Sequence, residues 1–288
     1  MTMKPKTVTK IKKTIRNVLT VFLLIFIILP ALWVVVSSFR PRRDILAKPA
    51  VWVPRDLSFK SYQMLFSGKK HGEMSVPVRE YFRNSIIISV TSTIVAVGIG
   101  MLGGYAFSRF RFRGKNTLFL LIMLSRTIPG IALSLPLLIF YSYTKLIDTR
   151  IGIIVVYVAL NVPFAIWLTD GFFREIPNEL SESAQIDGCS RWQAFWKIDF
   201  PLAGPGIGAS GIFAFLIAWN EFAIANVLTR TLRSKTMPVG LFDFVFEFVM
   251  DWRGMCTLAV IMLIPAVIIT FIIQKNLVRG LTFGALKG

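Results

Sequence analysis

The chain predicts an all-α integral membrane protein, six transmembrane helices with an amphipathic segment between spans four and five. Three observations carry this. Of the 288 residues 55% are hydrophobic and only 17% charged, with mean hydropathy +0.65, whereas a soluble domain carries about 25% charged residues. The apolar residues gather into six stretches, each near the ~20 residues that cross a hydrocarbon core of about 30 Å. The basic residues that give a net charge of +18 are scattered between those stretches rather than collected on one domain. Lys and Arg facing anionic headgroups explain most of that charge, and nucleic acid is not an expected partner.

A basic start, residues 1–17, holds Lys4, Lys6, Lys10, Lys12, Lys13 and Arg16. The first span, 18–38 (VLTVFLLIFIILPALWVVVSS), is longer than the 7–15 apolar residues of a signal peptide and reads as a retained anchor. A polar loop, 39–85, leads to spans at 86–107, 118–140 and 151–168; a fifth follows at 207–228 and a sixth at 255–273. In lipid each backbone N–H must be bonded inside its own segment, so these runs are predicted helices. Residues 86–273 form the core, with polar segments at 174–204 and 229–254, and 274–288 are a tail. Loops as long as 39–84 and 229–254 have a task of their own.

Orientation follows from the short acid-free turns. The basic start and the turn carrying Arg109, Arg111, Arg113 and Lys115 belong on the cytoplasmic side. The loop 39–84 is basic too, but long and partly offset by Asp44, Asp56, Glu73 and Glu80. Both termini and the segment 174–204 are then inside. Cys189 and Cys256 have no metal-ligand spacing, and His71 falls in a polar loop.

No G-x-x-x-x-G-K-[ST] loop, HExxH or nucleophile elbow occurs, so the chain is not expected to be an enzyme. Gly100 and Gly104, and Gly204 and Gly208, lie four apart and permit close helix approach, most simply as ordinary packing. Polar groups at membrane depth normally face a cavity or partner. Arg126, Asn161, Trp219, Asn220 and Glu221 are therefore candidates for a solute route, with an Arg126–Glu221 ion pair as the rival reading. Tyr141, Tyr143 and Trp219 could stack on sugar rings, or be belt residues.

The segment ELSESAQIDGCSRWQAFWKIDFPLAGPG predicts two short helices. Ser181 suits a cap, Gly188 a reversal, and Ser190 a second start. Trp192, Phe195 and Trp196 share one face. An interfacial helix would favour Lys and Arg on its polar side. Glu179, Glu182, Asp187 and Asp199 beside Arg191 and Lys197 suit a protein groove better.

These residues resemble the cytoplasmic loop of ABC importer permeases, Glu-Ala-Ala…Gly…Ile-x-Leu-Pro. The match falls on Glu182, Ala184, Asp187, Gly188, Phe195, Ile198 and Pro201, with Ser183, Cys189 and Phe200 departing modestly. FLIAWNEF at 215–222 and VRGLTFGALKG at 278–288 narrow it. The chain is similar to the smaller, maltose-permease-like subunit of carbohydrate importers of the bacterial inner membrane. The resemblance implies a coupling helix in a cleft of a cytosolic ATPase, with Glu182, Ser183, Ala184, Asp187, Gly188, Phe195 and Pro201 as contacts. It also implies a tail reaching the ATPases through Gly284, Leu286 and Lys287. Implied partners are a second, larger permease, two ATPases that bind the ATP and Mg, an extracytoplasmic solute-binding protein, membrane lipids and a carbohydrate. This chain itself would bind no cofactor. By the same resemblance the loop 229–254 meets the binding protein, and Arg230, Arg233 and Lys235 make it basic. With Arg126 they hint at an acidic saccharide such as a uronate oligomer. An ion-coupled secondary transporter is the rival; it predicts broken helices and a buried carboxylate, for which Glu221 is the lone candidate. A membrane scaffold or sensor leaves the polar groups within the spans without a purpose.

Overall fold

The computed structural model describes residues 5–49, 51, 54, 56–67, 76–245 and 250–285, with side chains between 12 and 272, Arg42 apart. Among the described residues fourteen α-helices follow in order: α1 Pro5–Ser38, α2 Arg42–Ile45, α3 Lys60–Ser67, α4 Val78–Arg109, α5 Lys115–Leu124, α6 Gly130–Thr144 and α7 Arg150–Glu175. Then come α8 Asn178–Ile186, α9 Arg191–Ala194, α10 Phe200–Leu202, α11 Gly204–Asn220, α12 Ala223–Leu228, α13 Met237–Gly240 and α14 Trp252–Ala285. The described residues form no strand, only one isolated bridge between Val245 and Met250.

By composition, α1, α4, α7 and α14 are long and apolar enough to cross a membrane, and two bent helix pairs raise the number to six if each is one span. Span three is not one helix. It is Lys115–Thr127 followed by Gly130–Thr144 at 93°. Pro129 has no N–H to give and holds Ile128 extended (φ −74°, ψ 119°), which ends the first piece. Span five is also interrupted: α11 stops at Asn220, Glu221 is extended (φ −68°, ψ 125°), and α12 resumes. A second bend, 72°, separates Arg191–Leu202 from Gly204–Asn220. The helices α4, α7 and α14 overrun the apolar stretches that announced them, because helical hydrogen bonding continues into water where hydropathy falls.

Two compact units divide the chain. In the first, Met1–Ser75 with Phe244–Ile261, Phe39 packs its ring against Phe59 and Tyr62, each centroid 5.1 Å away. The Ser38 hydroxyl meets the Tyr62 hydroxyl at 2.7 Å, and the buried Arg40 guanidinium lies 4.6 Å over the Trp33 ring.

The second unit, Val76–Asp243 with Met262–Gly288, is built on α4 and α7 running parallel. Their seam is made of small residues. A Cβ on Gly100 would fall 2.2 Å from the Ala165 Cβ, and one on Gly104 2.2 Å from the Thr169 Oγ1. The Thr169 hydroxyl donates to the Gly100 carbonyl at 3.0 Å. The expected approach at Gly204 and Gly208 is not found, since both face open space; Gly206 between them is the one pressed on Phe172. Near the start of the pair, Ile88, Tyr141, Ile153, Tyr157, Ile224 and Leu228 form a buried cluster. Near its end, Met101, Phe173, Phe195 and Ala203 form another.

Candidate functional site

At the far end of α4 and α7 the chain makes an elbow. Pro177 starts α8. Gly188, at φ +93°, turns the chain where a side chain would be strained. Its N–H reaches the Gln185 carbonyl (3.1 Å) and the next, of Cys189, the Ala184 carbonyl (2.9 Å). Ser190 then opens α9 with a reciprocal capping box: its hydroxyl accepts from Gln193 N while the Gln193 side chain accepts from Ser190 N. Glu182, Ser183, Asp187, Gly188 and Pro201 are exposed and Ala184 half-buried. Ile186 is 86% and Trp192 58% exposed, so the elbow offers acids beside bare apolar surface.

Two expectations need correction here. Ser181 is no cap. Helix α8 already begins at Asn178, and the buried Ser181 hydroxyl turns inward to donate to Asp199 Oδ2 at 2.8 Å. Phe195 is not presented outward with its neighbours. Its ring is fully buried, 4.6 Å from Tyr105 and 5.4 Å from Trp192, which leaves Trp192 and Trp196 outside.

Sequence reasoning missed what holds the elbow. Asp199, fully buried on the π-turn Phe195–Asp199, accepts from Arg109 at the end of α4 (2.8 Å). The same guanidinium donates to the Ile176 carbonyl (3.0 Å) and to the Asn178 side chain. The only signal was an acid inside the apolar run WKIDFP. In the sequence Arg109 marks only orientation.

At the opposite end of α4 and α7 the loop 229–244 is pinned. Asp148, itself at φ +56°, accepts from the N–H groups of Arg230 and Thr231 (3.0 Å each) and from the hydroxyls of Thr231 and Ser234. Burial would raise its carboxyl; the Ser234 and Thr231 hydroxyls and the two N–H groups outweigh that and hold it at about 2. The buried Asn84 amide donates to the carbonyls of Leu232 and Lys235, 2.9 Å each, while its oxygen accepts from Arg150 at 2.8 Å. Arg230 and Arg233 are left exposed. Lys235 is not a free contact, because its ammonium is paired with Asp243, which also accepts from Tyr81.

Between the two ends, the candidates for a route separate. The Arg126–Glu221 ion pair does not form. Arg126 lies exposed over the Phe164 ring, 4.7 Å from its centroid. Glu221 accepts instead from the Tyr157 hydroxyl (2.8 Å) and from Ile224 N and Ala225 N (2.8 and 3.0 Å), a carboxylate on the positive end of α12. Trp219 is 1% exposed and donates to the Met262 carbonyl at 3.0 Å, so neither it nor the buried Tyr141 can stack on a passing ring. Asn161 is buried and bonds its own helix at the Tyr157 carbonyl (2.8 Å). Asn220 is exposed and bonds back to the Leu216 carbonyl (2.8 Å). Gly284 lies in α14, while Leu286, Lys287 and His71 lie outside the described residues.

Among the described residues no His, Cys, Asp and Glu cluster could hold a metal ion. Residues 96–283 match the model of the binding-protein-dependent transport system inner membrane component family. The trehalose transport permease SugB of Mycobacterium tuberculosis is 33% identical over 265 residues, 91% of this chain and 93% of that protein. The sulfoquinovosyl glycerol transport permease SmoH of Agrobacterium fabrum is 30% identical over 276 residues, 96% and 94% of the two. In fold, the chain is similar to one in a crystal structure of a bacterial ABC transporter that imports the acidic polysaccharide alginate. The TM-score is 0.77 at 20% identity, covering 96% of this chain and 99% of that one. A chain of an alginate transporter in complex with its pentasaccharide-bound periplasmic protein gives 0.65 at 14% identity, covering 94% of each.

Proposed function

The chain belongs to the binding-protein-dependent transport system inner membrane components, and we propose that, as a sugar permease of that family, it couples to a cytosolic ATPase through the elbow at Glu182–Gly188. The observation that carries this is the elbow itself: exposed acids at Glu182 and Asp187 and bare Ile186 and Trp192, on a bend fixed by the main chain. Its root at Asp199 is ionically bonded to α4, so a force on the elbow reaches the bundle. Closure of two ATPases would draw this elbow and that of a second permease together and tilt the spans. A bundle whose helices meet on glycine can take up such a tilt with little side-chain rearrangement. The N-terminus, the elbow and the tail lie in the cytoplasm, and the loop 229–244 faces the solute-binding protein with Arg230 and Arg233.

The cargo, on this reading, is an oligosaccharide bearing carboxylate or sulfonate groups. The net charge of +18, the exposed Arg126, Arg230 and Arg233 and two relatives named for anionic cargo support it; a trehalose relative marks the neutral alternative. Copurification tests the coupling. The intact complex should retain its ATPase, and Glu182→Ala should weaken that association by roughly tenfold, as expected for a lost charge-assisted contact. Retention equal to wild type would refute it. Equal stimulation of ATP turnover by neutral and acidic oligosaccharides would remove the anionic cargo.

A further inference from the structure

We infer that Arg126 and the aromatic shelf of Phe164, Trp167 and Phe213 form a subsite for an anionic pyranose inside the membrane; this rests on the importer reading above. Arg126 sits where the third span breaks, between α5 and Pro129. At a rise of 1.5 Å per residue it lies about 16 Å along the helix from Lys115, inside the apolar run 118–140. A guanidinium cannot shed its charge. At such depth a cation faces water or a polar partner.

No partner is present among the described residues. Among the described residues Arg126 donates no hydrogen bond and joins no ion pair; its guanidinium lies over the face of Phe164. Glu221, the acid that might have answered it, is occupied by Tyr157 and the start of α12. The ring lies against the guanidinium, and the residue is exposed. Phe164 packs in turn against Trp167 (5.7 Å) and Phe213 (5.4 Å), which are 51% and 40% exposed. A fork of unspent donors beside bare aromatic rings matches a sugar acid: two parallel N–H bonds to the carboxylate or sulfonate, and the C–H face of the ring on Trp167. Cargo in transit, rather than a permanent subunit neighbour, is the occupant this charge fits. A cation with no fixed counter-charge among the described residues can take an anion and release it again.

The test is uptake by the complete importer in proteoliposomes, with saturating binding protein and two probes, trigalacturonate and maltotriose. Arg126→Gln should cut trigalacturonate uptake about tenfold more than maltotriose uptake, with Arg126→Lys between, because lysine keeps the charge but not the fork. Trp167→Ala should slow both. Equal slowing of both sugars by Arg126→Gln, unchanged uptake, or a wild type that takes only maltotriose overturns the assignment. So does loss of the second permease on purifying Arg126→Gln, which would make this face a subunit contact. If the wild-type complex retains no ATPase, the importer reading itself falls; if it retains one and the variants are indifferent, only the subsite does.

Discussion

Asp148 shows how one side chain can fix a whole loop. Four donors from residues 230–234 converge on it, and its carboxyl is lowered from 3.8 to about 2. A lowered carboxyl contributes its full stability above the unfolded value, near pH 4, and loses it as pH falls through about 2. The loop should therefore hold across pH 5–8. Amide exchange at residues 229–234, corrected for its intrinsic pH dependence, should be flat over that range. Asp148→Asn, which cannot accept from both hydroxyls and both amides as a carboxylate does, should cost about 1–2 kcal/mol and speed exchange there about tenfold or more. None of this was legible beforehand. An aspartate in LIDTR reads as a turn residue, and its partners lie more than eighty positions further on. Arg230 and Arg233 were picked out by charge alone, whereas Lys235, chosen on the same ground, spends its charge on Asp243.

Among the elements, long apolar runs were read well because a helix in lipid has no alternative, and α4 and α7 appear where hydropathy placed their middles. Breaks were not. Pro129–Gly130 and Glu221 each interrupt a run whose average hydropathy barely changes, so the signal is local backbone chemistry that a window smooths away. The α4–α7 seam can be tested directly. Gly104→Ala places a methyl against Thr169 Oγ1 and 2.7 Å from the Asp170 backbone nitrogen, and should destabilise by about 1–3 kcal/mol. Gly208→Ala, in open space, should leave the melting temperature unchanged. The junction of α4 with the elbow is a sharper case. Asp199→Leu strands Arg109, 11% exposed, and should cost about 3–5 kcal/mol. Adding Arg109→Met should recover part of that, and a double-mutant cycle on thermal unfolding in detergent gives the coupling.

At the scale of the whole molecule, the family and the elbow are written in order along the chain, while membrane sidedness follows from a charge rule that labelling tests. Cys189 offers the means, since the chain has only two cysteines and this one follows Gly188. In a Cys256→Ser background, an impermeant maleimide should label Cys189 in inside-out vesicles and spare it in right-side-out ones; the reverse pattern would invert the topology. The corner around Gly188 carries a last implication. Its shape is stored in main-chain torsion and in the Ser190–Gln193 exchange, not in the residues that face outward. Those outer positions can be swapped wholesale, so transplanting residues 182–187 from another permease should change which motor the protein recruits while its helical scaffold stays as it was.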